Sequence, residues 1–191
     1  MLLLVRHGRT ADNAGGLLLG RADPPLDEVG RAQAAALAAA LPSVARVVSS
    51  PLGRARETAA ALGVPVEVDE RWVELDYGEW DRRPIAEIAP EAWAAWRADV
   101  GFAPPGGESL AALGRRVRAA CDDLLADAAE RDVAVVTHVS PYKAALAWAL
   151  GVGDEVAWRI HVAPAAVSRV GVRAAGPYVV SVGEVHHLPV T

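Results

Sequence analysis

Apolar and polar positions along the chain switch repeatedly between a strand-like and a helix-like period. Leu2–Arg6 is a short, almost wholly apolar run with Gly8 close behind, the pattern of a strand buried on both faces. Residues 15–25 are rich in Gly, Asp and Pro and predict a loop. Asp27 suits the N-cap of a helix to about Leu41, with Val29, Gln33, Ala36, Leu37, Ala40 and Leu41 on one face and Pro42 as its stop. Arg46–Ser49 predicts a second strand. Ser50 and Pro51 suit the cap and first turn of a helix reaching Leu62, with Gly63 beyond it. Residues 64–68 predict a third strand.

The stretch 70–109 is less regular. It holds Trp72, Trp80, Trp93 and Trp96 together with Pro84, Pro90, Pro104 and Pro105, and predicts a helical excursion over about 85–99, folded across one end of the sheet. From Ser109 onward Leu110, Leu113, Val117, Cys121, Leu124 and Leu125 recur at helical spacing. Val133–Thr137 is the next buried strand and runs into His138, after which residues 141–150 predict a helix. Residues 162–172 and 178–182 predict two strands around Ala175, Gly176 and Pro177. No repeat or linker divides residues 1–191. The rhythm predicts one α/β domain, a three-layer α/β/α sandwich on a mostly parallel sheet, with the excursion at about 70–109 set apart for specificity.

Composition narrows the partners. At 191 residues and 20.0 kDa, with 52% hydrophobic and 23% charged residues, the chain has the make-up of one globular domain rather than a disordered or collagen-like polymer. The 19 basic and 24 acidic residues leave a net charge of −5, which provides no footprint for nucleic acid or an anionic membrane. An anionic ligand must therefore be gathered by a local cluster of cations. The single cysteine, Cys121, forms no internal disulfide and asks for no oxidising compartment. The opening apolar run is shorter than a secretory leader, so a cytoplasmic location is expected.

Such a cluster is available where ligands bind in parallel sheets, at the carboxyl ends of the strands. The first strand ends in Arg6-His7-Gly8, the second leads through Ser50 to Arg54, and a later one ends in Thr137-His138. Two arginines and two histidines then converge in an acidic chain, and the guanidinium fork suits phosphate oxygens.

These residues carry a resemblance. Val5-Arg6-His7-Gly8-Arg9-Thr10 with Asn13 resembles the signature of the histidine phosphatase superfamily, which includes the cofactor-dependent phosphoglycerate mutases. The likeness continues through residues 20–26, Gly30 and Gln33, residues 49–59, residues 74–80, residues 105–109 and Thr137-His138, in family order. Residues 136–143 are more particularly similar to the α-ribazole phosphatase-like acid phosphatase domains.

The resemblance implies a phosphoglycerate mutase-like fold and a phosphomonoesterase needing no cofactor and no metal. It makes His7 the nucleophile, Arg6, Arg54 and His138 the cationic holders of the phosphoryl group, and Glu74 the proton donor. Asn13, Arg21, Thr10 and Val139 would bind substrate. The implied partner is a small phosphate ester, such as α-ribazole phosphate, a sugar phosphate or a phosphoglycerate derivative, with phosphohistidine in proteins a further candidate. Mutase-type transfer and a non-catalytic phosphate-binding module are the alternatives. The base rate for assemblies favours a homodimer.

Plainer readings stand beside these. Arg54 would be a helix-surface residue beside Glu57 and Thr58, Asp76 or Glu79 would take the place of Glu74, His138 would be structural, and His161 would border the pocket or, the favoured reading, be structural. His186 and His187 point to opposite faces of a strand and cannot share a metal ion. Arg115, Arg116 and Arg118 would form a solvated face, with Arg118 paired to Asp122. Three positions depart from the family pattern: Arg9, Val139-Ser140 and Asp81-Arg82. Of these, Arg82-Arg83 would favour a further anionic group on the substrate.

Overall fold

A computed structural model describes residues 1–41 and 44–188. Its frame is one six-stranded sheet built from β1 (Leu2–Arg6), β2 (Arg46–Ser49), β3 (Val66–Val68), β4 (Val133–Thr137), β5 (Val167–Arg173) and β6 (Gly176–Glu184). The strand order is β3-β2-β4-β1-β5-β6. The first four strands run parallel, β5 is antiparallel to β1, and β6 to β5. Side chains alternate across the sheet, so Leu2, Leu4, Val133 and Val135 enter one core while Leu3, Val5, Ala134 and Val136 enter the other. After the short α1 (Ala11–Ala14), the second core is covered by Leu37 of α2 (Glu28–Ala40) and by Ala55 and Ala59 of α3 (Gly53–Ala60). The first is covered by α4 (Pro90–Ala98), α5 (Leu110–Glu130) and α6 (Val139–Leu150). That is the expected three-layer arrangement on a mostly parallel sheet. No described helix is long and apolar enough to cross a membrane.

Local chemistry accounts for most boundaries. Asp27 accepts from Gly30 N at 2.7 Å and Ser109 from Ala112 N at 3.2 Å, as N-caps should. Pro42, expected to stop α2, lies outside the described residues.

Several expectations are corrected. Ser50 does not cap the next helix: α3 begins at Gly53, whose N–H donates at 2.6 Å to Asp23 from another loop. The helical excursion expected at about 85–99 is present but divided, because Pro90 starts α4 afresh after a short 3₁₀ turn at Ile85–Glu87. β3 is shorter than expected, and β5 starts only at Val167. Arg118 pairs with Asp154 at 2.7 Å rather than with Asp122, which accepts from Trp148 Nε1 instead. The bidentate cross-contact outcompetes the neighbour on its own helix.

Candidate active site

The order β2-β4-β1 places three polar residues side by side at the carboxyl edge of the sheet. Ser50 follows β2, His138 follows β4 and His7 follows β1. His138 Nε2 lies 2.7 Å from Ser50 Oγ, and its ring centroid is 5.0 Å from that of His7. Thr137 O accepts from His7 N at 2.9 Å and Val136 O from Ser50 N at 3.0 Å, so the ladder itself sets their positions. Gly8 follows His7 because the chain passes against α2 there: a Cβ would collide with Gly30 O.

His7 has a defined tautomer. Nδ1 stands 2.7 Å from Gly8 O, and a carbonyl only accepts, so Nδ1 carries the proton. Nε2 keeps its lone pair and accepts from Arg54 Nε at 3.2 Å. Burial, followed by the charges of Arg54 and Arg6, holds the ring well below the ordinary histidine range and therefore neutral. His138 is driven the same way by burial, Arg54, His7 and Arg6. Both imidazoles are thus held neutral in this structure, whereas the resemblance makes His138 a cation only when phosphate is bound.

Arg54 is fully buried, contrary to the surface reading. Its Nη1 donates to Ala22 O at 2.6 Å and Nη2 to Gly20 O at 2.8 Å, with Asp23 Oδ1 3.4 Å from Nη1. Those carbonyls belong to a loop that Asp81 grips, its carboxylate accepting from Gly20 N at 2.7 Å and Ala22 N at 2.8 Å. Burial lowers the Arg54 pKa, against the pull of Glu74 and Asp23. Arg6 donates through Nη1 to Val162 O at 2.7 Å, and its buried Nε has no partner among the described residues. Desolvation pushes Arg6 down to about 10, opposed by Glu74.

Above these residues opens a cavity of about 250 Å³, lined among others by Arg6, His7, Asn13, Glu74, Tyr77, Val139 and Lys143. Arg54 and His138 lie outside this lining, and both are fully buried. Glu74 Oε1 accepts from Leu75 N at 2.7 Å and Ser140 N at 3.2 Å, which leaves Oε2, among the described residues, with only a 3.4 Å contact from Ser140 N. Tyr77 closes that side, its hydroxyl 3.2 Å from Ser140 Oγ.

The remaining expected residues divide. Asn13 Oδ1 is held by Thr10 N and Oγ1, which frees its amide nitrogen for the cavity, and Thr10 stands behind it rather than in the lining. Arg21 also lies outside the lining, 3.5 Å from Glu108. Asp76 accepts from Gly78 N, and Glu79 is exposed, so of the three acids Glu74 alone faces the cavity. His161, read as structural, lines it. Arg9 pairs with Asp27 at 2.8 Å and Arg82 with Asp12 at 2.8 Å. No group of three described His, Cys, Asp or Glu residues is placed to hold a metal ion.

Sequence reasoning overlooked Asp81, Ser50, Tyr77 and Lys143. Asp81 stood out as a departure from the family pattern, but only the fold brings it to the loop that holds Arg54. Lys143 had a readable signal, four residues after Val139 on the same helix face.

The chain matches the family model of the histidine phosphatase superfamily (branch 1) over residues 2–185. It is 41% identical over 177 residues to the bifunctional protein Rv2228c of Mycobacterium tuberculosis, covering 87% of this chain and 49% of that protein, about half its length. It is 34% identical over 203 residues to "Probable phosphoglycerate mutase GpmB" of Yersinia enterocolitica, covering 98% and 94%. Among solved structures, the mycobacterial glucosyl-3-phosphoglycerate phosphatase Rv2419c with VO3 superposes with a TM-score of 0.88 at 30% identity, covering 96% of this chain and 99% of that one. With the family match spanning nearly every residue and the strand-end arginines and histidines gathered as described, the chain belongs to branch 1 of the histidine phosphatase superfamily.

Proposed function

We propose that the protein is a phosphomonoesterase acting on a small phosphorylated metabolite through phospho-His7. The observation that carries this reading is the His7 tautomer: Nδ1–H is committed to Gly8 O, so the basic nitrogen left is Nε2, on a residue that lines the cavity. In the first step the Nε2 lone pair attacks phosphorus and the ester P–O bond breaks. Glu74 is the donor of the proton that the departing oxygen takes. In the second, water attacks phosphorus, the P–N bond breaks, and Glu74 takes the water's proton. Phosphate leaves and both side chains return to their starting forms.

Arg6 and Arg54 offset the charge that builds on the equatorial oxygens. An arriving phosphoryl oxygen takes over the Arg54 Nε–H now spent on His7 Nε2, so one donor both keeps the nucleophile neutral and meets the substrate. His138 supplies a further donor from beneath, and Asn13 and Val139 border the substrate.

Rapid quench of a labelled phosphomonoester such as p-nitrophenyl phosphate tests the scheme. An acid-labile adduct should form on His7 and vanish, with turnover, in His7→Ala; undiminished turnover in that variant would end the reading. The likeness to the Yersinia protein, named a probable phosphoglycerate mutase, favours mutase-type transfer as a second reading. Conversion of 3-phosphoglycerate to 2-phosphoglycerate with a bisphosphate primer, faster than phosphate release, would establish it.

A further inference from the structure

Lys143 stands on α6 in the wall of the phosphate cavity, and also in the wall of a second cavity of about 90 Å³ beside it. Leu18, Tyr77, Val139 and Lys143 are shared by the two. The second cavity is otherwise largely apolar, bounded by Trp93, Trp96, Trp158 and Leu110. Lys143 is half-buried, yet among the described residues its ammonium makes no hydrogen bond and no ion pair. Of the other cations suggested for the substrate, Arg82 pairs with Asp12 and Arg21 with Glu108, and Arg83 is exposed and lines neither cavity. A partly desolvated ammonium without a partner is costly to maintain, and such a group in a cleft marks a place for a ligand. Desolvation indeed lowers its pKa, while Glu74 pulls the other way.

We propose that this wall is a leaving-group subsite selecting phosphate monoesters whose alcohol carries a second anionic group, with Lys143 as its anchor. The inference rests on the phosphatase reading above and deepens it. The anionic group, a carboxylate or a second phosphate, meets the ammonium at the junction of the two cavities, and the carbon chain bearing it lies against the aromatic wall. An apolar cavity of roughly 150 Å³ holds a benzene molecule, so 90 Å³ accommodates a short alkyl segment rather than a whole ring. Lys143 is a specificity residue in this account and touches none of the reacting atoms.

Three substrates on one three-carbon frame test it: propane-1,3-diol monophosphate, 3-phosphooxypropanoate and propane-1,3-diol bisphosphate. At least one charged substrate should exceed the neutral one about tenfold in kcat/KM, chiefly through KM, and which one does so identifies the anion. Lys143→Met should shrink that preference about tenfold, and Lys143→Arg should recover at least half of the loss. A preference that survives Lys143→Met overturns the subsite, as does an equal loss on all three substrates, which would put Lys143 on the reacting phosphate. A wild-type protein that forms the His7 adduct from p-nitrophenyl phosphate but ranks the three alike overturns the subsite alone. Failure to form the adduct from any of the four removes the reading beneath it.

Discussion

Arg54 beneath the phosphate cavity and Trp96 beside it are both almost wholly buried, and each is held by four neighbours. Arg54 is held by His7 Nε2, Gly20 O, Ala22 O and Asp23 Oδ1, all through directional polar contacts. Trp96 is held by the rings of Tyr77, Trp80, Trp93 and Trp158, with centroids 5.0 to 5.8 Å away, and its own buried Nε1 has no partner among the described residues. Hydrogen bonds fix the direction of individual atoms, as a transferring phosphoryl group requires. Ring packing fixes a volume and tolerates rearrangement. Under the proposed function, the floor serves the reaction and the aromatic wall the choice of what undergoes it.

Four perturbations break or sharpen that contrast, in falling order of effect. Arg54→Met should cost on the order of 10³-fold in kcat/KM, since it removes a donor to the transition state and strands two carbonyls. Steady-state kinetics on p-nitrophenyl phosphate reads this, and a loss under tenfold would dissolve the distinction. Trp96→Ala should cost about 3–5 kcal/mol of unfolding free energy in urea. It should reorder substrates while the His7 adduct still forms; an unchanged substrate ranking would mean that the wall selects nothing.

Asp81→Ala should lower kcat/KM on the order of 10²-fold by loosening the loop that aims Arg54, with Asp81→Asn intermediate because one acceptor oxygen remains. If turnover holds while stability falls, Asp81 supports only the fold. The smallest effect is that of pH on stability. His7 and His138 are held below the ordinary value of 6.5, so as pH falls through 6.5 the unfolded chain binds protons that the folded chain does not. Their contribution is complete above that pH and is lost below it, at roughly 1 kcal/mol per pH unit for each histidine. Thermal melts of unliganded protein should show this slope, reduced in His138→Gln; identical slopes would contradict a buried neutral His138.

Much of the floor was legible in the residues themselves. An apolar run that stops at Arg6-His7, and another that stops at Thr137-His138, can hardly be anything but buried strands delivering polar residues to one edge. The wall was less legible, because Trp80, Trp93 and Trp96 lie among prolines with no period, and their mutual packing depends on contacts between distant segments. Ser50 and Arg118 show how local logic is overruled. Ser50 had the right neighbour for a cap but sits against His138, and Arg118 had an acid one turn away but reaches Asp154.

Period, strand ends and residue chemistry by themselves determined the layered α/β scaffold and the gathering of Arg6, His7, Arg54 and His138. Each of those features is written in short stretches of chain, where backbone geometry and burial leave few choices. Only the tertiary structure decided which His7 nitrogen is free, which acid lines the cavity with it, that Asp81 holds the loop behind Arg54 and that Lys143 lines the cavity wall. The His7 tautomer turns on a contact with its own neighbour, Gly8 O, in a backbone conformation that the folded sheet edge imposes. The other outcomes bring together residues far apart in the chain, as Gly20 and Asp81 or Glu74 and Ser140 are, and no local pattern encodes which distant groups a folded chain brings within hydrogen-bond reach.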